Sequence, residues 1–335
     1  MSAYKRYLVQ RATTYIVVIF IALIINFAIP RLIPGDPIRG IIQRMTFQGT
    51  IVGKEAEELV KEWRAAFGLD GDYLTQFIAY LRELVKGNMG YSIILFPTTV
   101  NELIARSLPW TIGLLAVTAT TSWILGNLIG AVAGWKGGRL ARNLAPIAVV
   151  LGNMPYYLLA IILIYFLSYT LDLLPRSGGF SIGAIPSFSI GFMMDVIWHS
   201  ILPMLSIIVS SLGWWFLSMR SMMVTLKGED YILMAEAKGL SEKRIMWKYA
   251  FRNCLLPQVT GLALSLGNIM GGALIMEMIF AYPGVGWLLY YSIQNLDYPV
   301  IQGVVLLVVF SVCTALLFID LIYPLIDPKI KYGVK

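Results

Sequence analysis

Charge, histidine and cysteine are all scarce in this chain of 335 residues, which has 13% charged residues, one histidine and two cysteines. A soluble domain carries about 25% charged residues. Cys254 and Cys313 are too few for a disulfide framework and read as small residues near or within helices. A metal site needs convergent ligands, and none gathers around His199. No GxxxxGKS/T loop is present: Gly53-Lys54 lacks the upstream glycine, and Gly134-Trp135-Lys136 does not fit. HExxH and paired-cysteine zinc patterns are absent as well. The chain therefore offers no catalytic residues and no cofactor site of its own.

What the chain has in excess is apolar: 58% of its residues are hydrophobic, gathered in long runs. These predict an all-α integral membrane protein with six transmembrane helices. Residues 1–11 form a short basic end, and 12–30 the first span. That span is too long for a signal peptide, and no small-residue cleavage site follows it. Residues 31–108 are the one long polar region, with nine basic and nine acidic side chains. There, 55–67 reads as a charged helix and 73–86 as an amphipathic one, with Leu74, Phe77, Ile78, Leu81, Leu84 and Val85 on one face. The transmembrane core, 109–323, holds the remaining spans at about 109–134, 146–171 (with Pro155 as a kink), 200–219, 258–280 and 300–323, and 324–335 form a tail. Gly261, Gly267, Gly271 and Gly272 give the fifth span small surfaces for close packing.

The net charge of +7 would suggest nucleic acid in a soluble protein, but here the basic residues flank apolar runs and act as topology determinants. With both termini inside, the four inner segments carry 16 Lys and Arg, whereas the two short outer loops carry one. Long loops such as 31–108 weigh little in this rule. The expected arrangement is cytoplasmic termini, an extracytoplasmic helical insertion at 31–108, and a cytoplasmic loop at 220–257.

That loop organises the rest. The run EDYILMAEAKGLSEKRIMWKYAFRNCLLP, from Glu229 to Pro257, is basic and interrupted, set between two apolar spans. One short helix ends at Gly239, in the position of a left-handed stop. Ser241 then sits as the N-cap of a second helix carrying Ile245, Met246, Tyr249 and Phe251, and Pro257 opens the next span. Two short helices on a membrane protein make a knob, and a knob suggests a socket on a partner.

Asp230, Tyr231, Ala235, Ala237, Lys238, Gly239, Leu240, Ser241, Ala250, Arg252, Asn253, Leu255, Leu256, Pro257 and Thr260 match the pattern DYxxxARAKGLSxxxxxxxHALRNxLLPxxT. The stretch resembles the EAA loop of ABC importer permeases, in the dipeptide/oligopeptide/nickel branch of the binding-protein-dependent inner-membrane component family. It departs at Leu233, where the general motif has Glu, at Glu236, where the branch tends to have Arg, and at Tyr249, where it usually has His. Other segments resemble the same branch in order: Arg31-Leu32-Ile33-Pro34-Gly35-Asp36-Pro37, Gly87–Ser92, Pro283-Gly284-Val285-Gly286, Asp297-Tyr298-Pro299 and Asp327–Tyr332.

The resemblance implies a type I ABC importer permease in a prokaryotic cell membrane, not itself an enzyme. It implies a second, homologous permease subunit (a heterodimer), two ATPase subunits that hold ATP and Mg, an extracytoplasmic substrate-binding protein and membrane lipid. Peptides are the default cargo, oligosaccharides the alternative, and nickel a third. The coupling contact to the ATPase would come from Asp230, Tyr231, Ala235, Ala237, Lys238, Gly239, Leu240, Ser241, Lys243, Arg244 and Ile245. Asn268 can line the path or bond a neighbouring helix; Glu277, near the end of a span, can serve the path or the structure. Trp110, Trp123, Trp198, Trp214 and Trp215 can stack on sugars or form interfacial belts. A different class, an ion-coupled secondary transporter, would show inverted repeats and buried mid-membrane charges; neither is visible.

Overall fold

The computed structural model describes residues 3–32, 58, 61, 71–267 and 274–326. The expected charged helix at 55–67, residues 33–37, the pair Gly271-Gly272, Asn268 and the tail motif from Asp327 lie wholly or almost wholly outside them. The helices are α1 (Ala3–Leu32), α2 (Tyr73–Val85), α3 (Val100–Lys136), α4 (Gly138–Asn153), α5 (Tyr156–Leu163), α6 (Ile190–Leu226), α7 (Asp230–Ala237), α8 (Glu242–Arg244), α9 (Arg252–Gly267), α10 (Leu274–Ile279), α11 (Val285–Gln294) and α12 (Tyr298–Ile326). Two π-helical stretches, Ile164–Thr170 and Ile245–Phe251, continue α5 and α8. Among the described residues regular structure is helical, apart from one antiparallel bridge between Tyr91 and Thr99.

Among the described residues, four helical stretches are long and apolar enough to cross a membrane: Val9–Leu32, Val100–Lys136, Ile190–Leu226 and Tyr298–Phe318. A fifth candidate is a pair, Ala141–Asn153 and Tyr156–Thr170, bent by 100°. The expected kink at Pro155 is therefore a full break. Met154 is extended at ψ 121°, as a residue before proline favours, and Pro155 caps the next helix. The expected fifth span is described only as α9 and α10, on either side of residues 268–273.

The chain divides into two compact units, 1–109 with 284–335, and 110–283. In the first, α1 packs along α12. Polar groups inside the membrane must be satisfied by the protein itself, and here they join the two helices. The Asn26 side-chain amide donates to the Gln302 carbonyl at 2.9 Å, and the Gln302 amide returns to the Asn26 carbonyl at 2.8 Å. Tyr15 and Thr314 share a hydroxyl bond at 3.0 Å. An apolar cluster of Val100, Leu103, Ile104, Val285, Leu288, Val300 and Val304 closes this unit. Above it, the buried Asp297 carboxylate accepts from Ser92 Oγ at 2.5 Å and from the backbone N–H groups of Ile93 and Ile94 at 3.1 and 3.3 Å. One side chain thereby pins the 87–99 loop to the start of α12.

In the second unit, α6 is the central helix. Gly213 meets Ala148 and Gly152 of α4, where a Cβ at Gly213 would come within 2.4 Å of the Ala148 carbonyl oxygen. On α3, Gly126, Gly130 and Gly134 recur every fourth residue and lie against α6 from Leu212 to Met223. A Cβ at Gly130 would stand 2.6 Å from the Phe216 carbonyl oxygen and 3.1 Å from the Met219 Cβ, so even alanine forces the two helices apart. Gly113 on the same helix has open space. Overpacking of this kind costs about 1–3 kcal/mol. Gly130→Ala is expected to lower the thermal midpoint of the purified protein in detergent, while Gly113→Ala leaves it unchanged or raises it. Equal effects of the two substitutions would contradict the close α3–α6 approach.

Candidate functional site

The segment from 229 to 257 forms a knob, and its first half follows from local sequence. After α7, Gly239 adopts φ +72°. Its N–H donates to the Glu236 carbonyl at 2.8 Å, and the Leu240 N–H donates to the Ala235 carbonyl at 3.3 Å. These are the two bonds of a Schellman cap, completed by Leu240 packing into the same apolar cluster as Ala235. The left-handed stop expected at Gly239 is therefore present. Ser241 occupies the expected N-cap position, but its carbonyl, not its hydroxyl, receives the bonds from Arg244 and Ile245, at 2.9 and 3.0 Å.

The second half differs from the expected short helix. After three residues of α8 the backbone widens into the π-helical turns of Ile245–Phe251 and runs on into α9, with Pro257 inside that helix. The knob's second arm is thus continuous with the following span. π-Helical turns change the face that side chains present, and here Ile245, Met246 and Ala250 all turn inward.

What they meet is the end of the helical bundle. A buried cluster joins Ala131 and Trp135 of α3, Met219 and Met223 of α6, Ile232 and Ala235 of α7, Ile245, Met246 and Ala250 of the π turns, and Cys254 of α9. Burying a side chain of this size contributes about 1.5–3 kcal/mol, so the cluster holds the knob firmly on its own chain. Trp135 adds polar contacts: its indole N–H donates to Glu242 Oε1 at 3.2 Å, and the Lys227 ammonium lies 5.3 Å from its ring centroid.

The residues expected to form the coupling contact fall into two groups. Ala235 and Ile245 are buried in this cluster, and Tyr231 and Leu240 are half-buried against it. Asp230, Ala237, Lys238, Gly239, Ser241, Lys243 and Arg244 are exposed around the tip. Leu233 and Met234 are exposed beside them. The exposed tip is a charged turn, with Lys238, Lys243 and Arg244 interleaved with the exposed Glu236 and Glu242 and two apolar side chains next to it.

Of the two residues considered for a path, Asn268 lies outside the described residues. Glu277 is fully buried on α10 and accepts from Thr111 Oγ1 of α3 at 2.7 Å. Nearby in sequence, Tyr282 and Ser200 share a bond at 2.9 Å. Of the five tryptophans, Trp215 is buried beside Gly126, and Trp123 donates to the Gln258 carbonyl at 2.9 Å; both do structural work. Trp110 packs against Phe180 and Tyr282, whereas Trp198 and Trp214 are exposed. Among the described residues, no group of three or more His, Cys, Asp and Glu could hold a metal ion.

Sequence reasoning missed Trp135, which sits at a span end and reads there as an interfacial anchor. It also missed the Gly126/Gly130/Gly134 stripe, although the four-residue repeat is plain in the sequence.

Residues 126–332 match the family described as "Binding-protein-dependent transport system inner membrane component". The chain belongs to this family. It is 32% identical over 330 residues to the probable peptide ABC transporter permease protein y4tP of Sinorhizobium fredii, covering 97% of this chain and 99% of that protein. Against the putative peptide permease protein BOV_A0351 of Brucella ovis it is 32% identical over 327 residues, with the same coverage. The glutathione transport system permease protein GsiC of Escherichia coli is 31% identical over 328 residues, again covering 97% and 99%. A member of the inner membrane component family with several apolar helices is a multi-pass protein of the cell membrane. All three relatives are named as permease proteins, and that of Sinorhizobium fredii as one of an ABC transporter.

Proposed function

We propose that this chain forms one half of the translocation path of an ATP-driven peptide importer, paired with a second, homologous permease. Two ATPase subunits, holding ATP and Mg, act on the permease pair from the cytoplasm, and a substrate-binding protein delivers cargo from outside. Peptide as cargo is supported by the names of relatives that align along nearly the whole chain. The observation that carries the coupling role is the knob itself: a capped turn with an exposed, charged tip, seated on the ends of α3 and α6. In this reading Asp230, Ala237, Lys238, Gly239, Ser241, Lys243 and Arg244 meet the ATPase. Tyr231, Ala235, Leu240 and Ile245 transmit the displacement inward.

Gly239→Val tests the coupling. A β-branched residue at φ +72° costs at least about 1–2 kcal/mol locally and displaces the tip. The variant is expected to insert and receive cargo from outside normally, yet lose co-purifying ATPase subunits or the rise in ATP hydrolysis on adding peptide-loaded binding protein. Normal assembly together with normal stimulation would rule out this turn as the coupling element. Stimulation of the unaltered complex by an oligosaccharide-loaded binding protein, and not by a peptide-loaded one, would rule out peptide as the cargo.

The topology proposed with this function has six spans, both termini in the cytoplasm and 31–108 outside. It rests on the excess of Lys and Arg in the short segments assigned to the inner side. With Cys254 and Cys313 replaced by serine, Gly53→Cys should react with an impermeant maleimide in intact cells, and Lys331→Cys only after lysis. The reverse pattern would invert the arrangement.

A further inference from the structure

Helix α2 has three sides of different chemistry. Its packed side lies on the end of α1: Arg31 Nε donates to Gln76 Oε1 at 2.9 Å, Asn26 Nδ2 donates to the Tyr80 hydroxyl at 3.3 Å, and the Phe27 and Phe77 rings meet at 5.0 Å, edge to face. A polar side carries Thr75, Arg82 and Lys86, all exposed. The third side is apolar and uncovered: Leu74 is 65% exposed, Ile78 50% and Val85 90%. With the half-buried Leu81, these residues fall within about 60° of one another around the helix axis. The amphipathic face expected from the sequence is thus split, and only Phe77, Leu81 and Leu84 gain partial cover.

We infer that α2 lies in the membrane–water interface, with Leu74, Ile78 and Val85 set into the lipid. Three observations commit the stripe to lipid. First, the α1 residues that hold α2 belong to the last two turns of the apolar span Val9–Leu32; from Phe27 to Leu32 the helix rises about 7.5 Å. That matches the depth, about 5–10 Å, to which an interfacial helix buries its apolar face. Second, the same stretch of α1 is itself uncovered, with Ile24, Ile25, Ile29 and Leu32 exposed; in a membrane-spanning helix such a surface faces acyl chains. Third, the stripe carries no charge, while Arg82 and Lys86 stand on the water side and Tyr73, 69% exposed, sits at the start of the helix. Basic residues and tyrosine at that level suit a headgroup layer. The helix therefore anchors the chain beyond α1 at a fixed height in the membrane, a role separate from cargo and from ATP.

The test uses the full chain, assembled with its partner subunits in vesicles of phosphatidylethanolamine and phosphatidylglycerol. With Cys254→Ser and Cys313→Ser as background, a nitroxide is placed in turn at Leu74→Cys, Ile78→Cys, Thr75→Cys and Arg82→Cys. All four sites are exposed, so no label has to enter the packed face. Collision with oxygen, which concentrates in lipid, is compared with collision with a water-soluble nickel chelate. The expected result is oxygen-dominated relaxation at 74 and 78, with nickel-dominated relaxation at 75 and 82. Nickel-dominated relaxation at all four sites would place the stripe in water, and protection of 74 and 78 from both reagents would place a protein against it. Either result overturns the inference.

Discussion

The structure depends on burying one apolar cluster at the junction of α3, α6 and the 229–257 knob. A loop carrying Lys238, Lys243 and Arg244 cannot enter hydrocarbon, because each lipid-facing charge there costs about 2.5–3.5 kcal/mol on insertion scales. Left to itself, a solvated loop of short helices would be mobile. Ile232, Ala235, Ile245, Met246, Ala250 and Cys254 prevent this by packing against Ala131, Trp135, Met219 and Met223. In the proposed coupling role this burial is decisive: a displacement at the tip reaches the spans only if the base does not yield.

The close approach of α3 to α6 serves the same end. Three glycines on α3 let the backbones of the two helices beneath the knob touch. Met219 and Met223 are buried at the contact, and flexible thioethers of this kind tolerate small adjustments of packing. In the other compact unit, rigidity comes instead from polar groups that must find partners: the reciprocal Asn26–Gln302 pair, and Asp297 with its three donors. Breaking one partner of such a set leaves a buried polar group unpaired, which costs more than the bond itself contributes.

Much of this was legible in the sequence. The spans around 12–30, 109–134, 200–219 and 300–323 lie within long helices, since an apolar run near 20 residues has few other soluble or membrane fates. The stop at Gly239 was legible because left-handed backbone has few occupants. Other features were not. Pro155 reads as a kink in any apolar run; whether it bends or breaks depends on what packs against both halves, here α6. The partition of the knob into a buried base and an exposed tip was hidden by the π turns, which shift Ile245 and Met246 out of ordinary helical register. The anchor at Trp135 and the clamp at Asp297 depend on residues 107 and 205 positions away, and no local pattern announces either.

The knob is seated rigidly on the ends of α3 and α6, and a distance measurement tests this most directly. Spin labels at Val224, exposed near the end of α6, and at Ser241, exposed on the knob, would be compared in the assembled transporter without nucleotide and with ATP trapped. A rigid seating gives one narrow distance distribution with the same mean in both states. A mean that shifts between the states, or a distribution that broadens when nucleotide is removed, would show that the knob moves on its base and would contradict it.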